Sequence, residues 1–160
     1  MTVQTGLGYD SHPFAEGRAL VLGGVRVEHE RGLSGHSDAD VLTHAIIDAL
    51  LGAAALGDIG QHFPDTDARY RDESSIELLR SAVELLADRG FAVVHVDATV
   101  VIERPHLEPH RERMRSMLAA ALGVGVDRVS VKATRGEGIG FVGRGEGAAA
   151  LAVATVEGAS

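Results

Sequence analysis

The 160-residue sequence predicts an α+β fold, a two-layer sandwich of a mixed four-stranded sheet and helices, plus a small hairpin. Three observations lead to this class. Several segments alternate between apolar and polar residues, others repeat apolar residues with a helical period, and the two kinds are interspersed along the chain. No linker or internal repeat divides the sequence, so we expect one domain over residues 1–160.

The strand predictions rest on alternation. In residues 2–9 every second side chain falls on one face, and residues 91–102 show the same pattern over a longer run. Apolar stretches on either side of Gly23-Gly24 predict the hairpin, because paired glycines suit a tight turn. Two closing strands are expected at residues 128–134 and 147–157.

Three segments have a helical period instead. The first begins after Ser37, which together with Asp40 resembles a capping box, so we expect this helix to open at Ser37. The second runs over residues 74–89 and ends at Gly90. The third starts at Glu108 and ends near Gly123.

Composition excludes several kinds of protein. The formal net charge of −8 argues against a nucleic-acid groove, because phosphate backbones bind best to an excess of Lys and Arg. Cysteine is absent, so disulfides and thiolate metal sites are ruled out and a metal would need His and carboxylate ligands. Neither a signal peptide nor an apolar run of about 20 residues is recognised, which predicts a cytoplasmic protein without a membrane span.

A carboxylate and an imidazole stand two residues apart near the N-terminus, at Asp10 and His12. On a strand both would point to one face and could bind one ion, with His44 of the first helix as third ligand. Asp40 and Asp48 flank His44 at i−4 and i+4 and could orient its ring. The alternative is that Asp10 and His12 cap a turn and His44 is a half-buried helix residue; spacing alone leaves both open.

Three further segments also have two interpretations each. His36 and Ser37 could bind an anion at a helix N-terminus, or Ser37 could be a simple N-cap. The segment from Gly57 to Asp67 could bind hydroxyls or a cation, or merely turn the chain. The glycine-rich residues 132–147 could bind phosphate and metal, or form a flexible hairpin.

Taken together, four stretches resemble the 2-C-methyl-D-erythritol 2,4-cyclodiphosphate synthases of the non-mevalonate isoprenoid pathway. They are GYDSHPF at residues 8–14, residues 34–67, VDATVVIERPHLEPH at residues 96–110, and the glycine-rich residues 132–147. The resemblance covers essentially the whole chain. It implies a homotrimer in which the sheets face a central axis and each active site lies between two subunits.

The resemblance also implies a reaction. In 4-diphosphocytidyl-2-C-methyl-D-erythritol 2-phosphate, the 2-phosphate attacks the β-phosphorus of the diphosphate. CMP leaves and a cyclic diphosphate forms, so the enzyme is a phosphorus–oxygen lyase. The implied partners are this cytidine diphosphate substrate and CMP.

By position, the resemblance implies Asp10, His12 and His44 as Zn²⁺ ligands and Glu137 as ligand of a second divalent cation, Mg²⁺ or Mn²⁺. His36 and Arg135 take catalytic positions. The implied substrate-binding residues are Asp10, Ser11, His12, His36, Ser37, Asp58, Ile59, Gly60, Phe63, Pro64, Asp65, Ile102, Pro105, His106, Leu107, Glu108, Lys132, Thr134, Arg135, Gly136, Glu137, Phe141 and Arg144.

The chain departs from the family pattern at two places. The family usually reads Lys-Ala-Thr-Thr where this chain has Thr134 followed by Arg135, so Arg135 replaces a presumed transition-state stabiliser. Arg135 could donate to phosphate through its charge or backbone N–H, or alter substrate affinity. His106 stands where a lysine is common. The resemblance further places Phe141 and Arg144 at a central cavity that can bind isoprenoid diphosphates.

Two other functions compete with the synthase. One is a metal phosphoesterase that hydrolyses a diphosphate to linear phosphates. The other is a non-enzymatic trimer that binds isoprenoid diphosphates in its cavity, but such a binder would not need the set of Asp10, His12 and His44.

Overall fold

The computed structural model describes residues 1–159 and has a five-stranded sheet in the order β4-β1-β7-β5-β6. The strands of this sheet are β1 (Thr2–Ala15), β4 (Gly32–Leu33), β5 (Phe91–Val101), β6 (Val129–Thr134) and β7 (Gly147–Gly158). A separate hairpin pairs β2 (Leu20–Leu22) with β3 (Val25–Val27). The helices are α1 (Val41–Ala53), α2 (Ile59–His62), α3 (Ser75–Asp88), α4 (Arg111–Leu122) and α5 (Gly140–Gly143).

The mixed α+β class is confirmed, but the sheet has one strand more than predicted. The added strand, β4, has two residues and pairs Leu33 with Phe14 at the end of β1. A two-residue strand is too short to show alternation, so no sequence pattern could indicate it. The sheet is mixed because β5 and β6 are parallel while the other pairs are antiparallel.

The start of α1 differs from the prediction. The helix begins at Val41, and the N-cap is Asp40, whose side chain accepts a hydrogen bond from the Thr43 amide at 3.0 Å. Ser37 lies four residues before the helix and is not its cap. Ala39 explains the shift: its φ of 57° is left-handed and interrupts any helix that would begin at Ser37.

Close contact between β1 and α1 brings the two predicted ligand segments together. Gly6 and Gly8 lie on the face of β1 that touches the helix. A Cβ on Gly8 would lie 1.8 Å from the Ala45 carbonyl oxygen, and one on Gly6 would lie 2.1 Å from the Ala49 oxygen. The helix can therefore approach this strand only because both residues lack a side chain.

Replacing Gly8 with alanine is expected to lower the free energy of unfolding by about 3 kcal/mol, because an overpacked backbone contact must move apart. Denaturant unfolding measures the effect. The matched control is Gly52→Ala in α1, where the nearest atom to a new Cβ is 4.0 Å away. The control should raise stability by about 0.5–1 kcal/mol. Equal stability of Gly8→Ala and the unchanged chain would contradict the packing argument.

The opposite face of the sheet is apolar and exposed. Val3, Leu7 and Tyr9 of β1 and Leu151 and Val153 of β7 are between 41% and 69% exposed. Residues 2–9 do alternate as predicted, but the apolar residues face away from the helices. The helix-facing side of β7 is instead built of alanines, which suits the close approach of α1.

The remaining elements follow the sequence closely. In β5, Val96, Ala98 and Val100 are buried as the alternation predicts, with an irregularity in pairing between Val93 and His95. Helix α4 ends at Gly123, whose φ of 72° is left-handed. Within residues 1–159, none of the helices is long and apolar enough to cross a membrane.

Candidate active site

Asp10 and His12 lie inside β1, which continues to Ala15, well past the predicted end of the strand. They pair across the sheet with Ala150 and Ala148 and point to the face that α1 covers. His12 Nε2 is 2.9 Å from Asp10 Oδ2. The interpretation in which these two residues cap a turn is therefore wrong, because both belong to a regular strand.

His44 completes the group from α1. It is the fourth residue of the helix and only 8% exposed. Its Nδ1 lies 3.0 Å from Asp10 Oδ2 and 3.3 Å from His12 Nε2. The predicted convergence of the three side chains is confirmed. Among residues 1–159, they are the one group of three or more His, Asp or Glu side chains whose ligand atoms all lie within 4.8 Å of one another.

The hydrogen bonds around the two imidazoles fit a bound cation. His12 Nδ1 donates to the Ser34 carbonyl oxygen at 3.0 Å, and His44 Nε2 faces two serine hydroxyls. If each ring carries its proton on that outer nitrogen, the inner nitrogens present lone pairs to each other and to the Asp10 carboxylate. Three converging acceptors repel unless a cation lies between them, so this donor set suits a metal ion.

The electrostatics of the three groups are coupled. Burial raises the pKa of Asp10, but hydrogen bonds and charge from His12 and His44 outweigh it and lower that pKa to about 2. Burial lowers the pKa of His44, yet the adjacent Asp10 carboxylate outweighs it and the pKa is raised. Asp10 is thus held as an anion, the form that ligates metals.

The partners that orient His44 are not those predicted from helix spacing. The Asp40 carboxylate accepts from the amides of Gly23 and Gly24, and Asp48 accepts from the Ile59 amide at 2.7 Å. Neither carboxylate bonds to the His44 ring. The helix spacing correctly placed them near His44, but their side chains are used to hold the hairpin and α2.

A cavity of about 380 Å³ opens beside the triad. Many of the predicted substrate-binding residues line it, together with four residues that were not predicted to bind substrate. The predicted ones are Asp10, His12, His36, Ser37, Ile59, Gly60, Phe63, Pro64 and Asp65, and the additional ones, beyond His44, are Gly35, Asp48, Tyr70 and Leu78.

Two of the predicted residues between Asp10 and Asp65 do not line this cavity. Ser11 lies between Asp10 and His12 on β1, so its side chain points to the opposite face of the sheet and is exposed. Asp58 is the N-cap of α2 and forms a capping box with Gln61, with an Asp58 oxygen 3.0 Å from the Gln61 amide. The segment after Gly57 is therefore a short capped helix rather than an open loop.

A second, smaller cavity of about 150 Å³ lies elsewhere on the chain. Glu103 supports its edge by accepting from the Gly136 amide at 2.8 Å and facing Arg135 at 3.6 Å. The two cavities share no lining residue. The lining consists of the predicted Ile102, Pro105, His106, Leu107, Glu108, Thr134 and Arg135, and of Glu103, Arg111 and Ala133, which were not predicted.

The other predicted residues lie outside both cavities. Lys132 pairs with Asp97 at 2.9 Å, and Arg144 pairs with Glu146 at 3.0 Å. Glu137 is exposed and has a φ of 55°, and Phe141 is 40% exposed. The glycine-rich segment contains the four-residue helix α5, so the alternative of a plain hairpin is wrong.

Comparison with known proteins identifies the family of this chain. The model of the YgbB family matches residues 3–157. The chain belongs to the YgbB family. The resemblance to the cyclodiphosphate synthases expected from the sequence is thereby confirmed, since the curated relatives of this YgbB chain carry that name.

Two of these relatives cover nearly the whole YgbB chain. The 2-C-methyl-D-erythritol 2,4-cyclodiphosphate synthase of Salinibacter ruber is 60% identical over 157 residues, covering 98% of this chain and 100% of that protein. The enzyme of the same name from Rubrobacter xylanophilus is 61% identical over 157 residues, covering 96% of this chain and 94% of that protein.

Solved structures agree with the fold of the YgbB chain. A 2C-methyl-D-erythritol-2,4-cyclodiphosphate synthase in its CDP-bound form is 37% identical with a TM-score of 0.88, covering 96% of this chain and 100% of that one. The bifunctional IspDF from Campylobacter jejuni is 41% identical with a TM-score of 0.95, covering 99% of this chain and 43% of that longer one.

Proposed function

We propose that this chain, as a single catalytic domain over residues 1–160, converts 4-diphosphocytidyl-2-C-methyl-D-erythritol 2-phosphate to 2-C-methyl-D-erythritol 2,4-cyclodiphosphate and CMP. The observation that carries the proposal is the convergence of Asp10, His12 and His44 at the wall of a cavity, in a chain of the YgbB family. A phosphorus–oxygen lyase needs such a site to neutralise two phosphate groups that must approach each other.

The triad would hold Zn²⁺, because a carboxylate and two imidazoles leave the fourth tetrahedral position open. Glu137 would ligate a second divalent cation, Mg²⁺ or Mn²⁺. When bound, the ions withdraw charge from the diphosphate and align its phosphorus for attack. Because the cations supply local positive charge, the net charge of −8 does not oppose phosphate binding.

His36 and Ser37 are placed to steady the phosphates at the cavity wall. The His36 ring is oriented by the Asp67 carbonyl oxygen, 3.0 Å from Nε2. The Arg18 guanidinium holds the same loop by donating to the Ser37 carbonyl oxygen at 2.8 Å and to that of Leu33. A loop fixed in this way can present its donors without reorganising during the reaction.

No protein nucleophile is required. The substrate carries both the attacking phosphate and the phosphorus that it attacks, so the protein has only to position the two. Such positioning can lower a barrier by about 7–11 kcal/mol. The apolar residues Ile59, Phe63 and Pro64, which line the same cavity as the triad, would help by enclosing the carbon skeleton.

The active site would be completed by a second copy of the chain. The cavity at the triad and the cavity at Ile102–Glu108 share no lining residue, yet the resemblance assigns substrate-binding residues to both. The exposed apolar face of β1 and β7 gives a surface for association. We therefore infer a homotrimer whose sheets face a central axis, with each site between two subunits.

Phe141 and Arg144 would lie at the central cavity of such a trimer. Phe141 presents an exposed aromatic ring, and Arg144 presents a cation that pairs with the exposed Glu146. An apolar group next to a cation suits an isoprenoid diphosphate. This binding would be an accessory property of the synthase rather than its main function.

Phosphorus NMR of the products tests the proposed function. Incubation of the cytidine diphosphate substrate with the chain, Zn²⁺ and Mg²⁺ should give the resonances of a cyclic diphosphate and of CMP. A metal phosphoesterase would instead release linear phosphates, and a binding protein would leave the substrate intact. Either of these two results would refute the synthase.

Replacing Arg135 with threonine, the usual family residue, is expected to keep or raise kcat/KM. The Arg135 side chain is half exposed and its contact with Glu103 is long, 3.6 Å, so its removal should disturb the loop little. Steady-state release of CMP measures the effect, with Arg113→Thr on the exposed face of α4 as control. A loss of about 100-fold or more would show that Arg135 acts directly on the substrate here.

A further inference from the structure

The ring of His44 has a second nitrogen that metal binding does not use. This atom, Nε2, lies 2.7 Å from Ser75 Oγ and 3.1 Å from Ser37 Oγ. Ser75 is the first residue of α3 and is fully buried. The nearer contact therefore connects the metal triad to a helix that contributes no metal ligand.

Asp38 determines the direction of the hydrogen bond between Ser75 and His44. Its Oδ2 accepts from the Ser75 amide at 3.0 Å, and its Oδ1 accepts a short hydrogen bond from the Ser75 hydroxyl. An ionised carboxylate can only accept, so the hydroxyl proton of Ser75 must point to Asp38. Ser75 Oγ then presents a lone pair to His44, and His44 Nε2 must be the donor.

The contact with Ser37 has no such direction. Ser37 Oγ is farther from His44 Nε2, and its contact with the Ala39 amide is long, 3.4 Å. That amide donates to Ser37 and leaves the hydroxyl proton of Ser37 undirected. Of the two serines, only Ser75 is oriented by a carboxylate among the hydrogen bonds of residues 1–159.

We propose that Asp38 and Ser75 are positioning residues for the metal site: their hydrogen bonds hold His44 in the Nε2–H tautomer and leave its Nδ1 lone pair facing Asp10 and His12. The proposal rests on the proposed role of the triad as a metal site. Carboxylates commonly orient metal-bound histidines directly, and here a serine hydroxyl transmits the effect. The sequence separation of Ser75 from His44 explains why no motif around the ligands reveals it.

Metal affinity tests the proposal in solution. Competition with a chromophoric chelator measures the Zn²⁺ dissociation constant of the whole chain. Ser75→Ala and Asp38→Asn should each weaken binding about 10–100-fold, since an asparagine amide can donate to Ser75 and reverse its hydroxyl. Ser75→Thr keeps the hydroxyl and should restore most of the affinity. The matched control is Ser74→Ala, because Ser74 is adjacent, exposed and makes no side-chain cap bond.

The Nε2–H proton of His44 provides a readout that a purely structural role would not move. In nitrogen-15 NMR of the Zn²⁺-loaded chain, this proton should exchange slowly with water, because buried Ser75 accepts a hydrogen bond from it. Ser75→Ala and Asp38→Asn should speed this exchange, whereas Ser74→Ala should leave it unchanged. If Ser75→Ala fails to fold, Asp38→Asn provides the same test.

Two results would overturn the inference. One is a His44 Nε2–H proton that exchanges as fast in the Zn²⁺-loaded unchanged chain as in folded Ser75→Ala and Asp38→Asn. The other is Zn²⁺ affinities of these folded variants that match that of the unchanged chain. Failure of the proposed function looks different, because the unchanged chain itself would then bind no Zn²⁺.

Discussion

Replacing His44 with alanine is expected to abolish Zn²⁺ binding and to lower the rate of CMP release by about 100- to 1,000-fold or more. His44 supplies one of only three converging ligand atoms, so its loss leaves Asp10 and His12 with two, too few for a catalytic zinc site. Metal analysis of the purified chain and a CMP-release assay measure the two effects. Asp10→Ala should behave in the same way.

The oligomer should survive this substitution, because His44 lies in the cavity and not on the exposed sheet face. Size-exclusion chromatography with light scattering checks this point. The matched control is His95→Gln, since His95 is an exposed histidine of β5 outside both cavities. Full activity in a His44→Ala chain shown to be free of zinc would refute the assignment of the metal site.

Mixing two inactive variants should restore activity if each site lies between two subunits. In the proposed trimer, one subunit contributes the metal triad to a site and its neighbour contributes the glycine-rich segment. His44→Ala damages the first contribution, and Glu137→Ala damages the second. In every mixed trimer with head-to-tail interfaces, one of the three interfaces would combine two undamaged sides, giving about one third of the unchanged activity. Co-expression with two different tags and isolation of doubly tagged oligomers measures this recovery.

The control combines two defects on the same side. Co-expressed His44→Ala and Asp10→Ala chains cannot form any interface with an intact metal set, so they should stay inactive. A site contained within one chain would give no recovery in either pair. Absence of recovery from doubly tagged His44→Ala and Glu137→Ala oligomers would therefore refute the inter-subunit site.

Local periodicities made the metal triad one of two interpretations of the sequence, and the family resemblance decided between them. Asp10 and His12 share a strand face through the two-residue repeat, and His44 follows in a strongly apolar helix. The hairpin at Gly23 and Gly24 was predictable for a similar reason, since both have the positive φ that glycine favours.

The parts of the site that could not be predicted depend on contacts between distant segments. Ser75 reaches His44 from a different helix, and Glu103 supports Gly136 across 33 residues. The capping prediction at Ser37 failed for a backbone reason, because the left-handed φ of Ala39 is rare for alanine and has no sequence signal. The hydrogen-bond partners of Asp40 and Asp48 depend on which backbone amides of the hairpin and α2 are not paired within those elements.

The left-handed turn at Ala39 connects the hairpin, the loop before α1 and the start of α3 through hydrogen bonds, so these three segments should unfold together on heating. The Asp40 carboxylate, after the turn, accepts hydrogen bonds from the hairpin amides. The Asp38 carboxylate, before the turn, accepts one from the first turn of α3. We expect the hairpin, the first turn of α3 and the loop at residues 37–40 to open as one cooperative unit, because none of them can separate without breaking these hydrogen bonds. Heat inactivation would accordingly begin with the loosening of this unit, while the long strands β1, β5 and β7 are still paired.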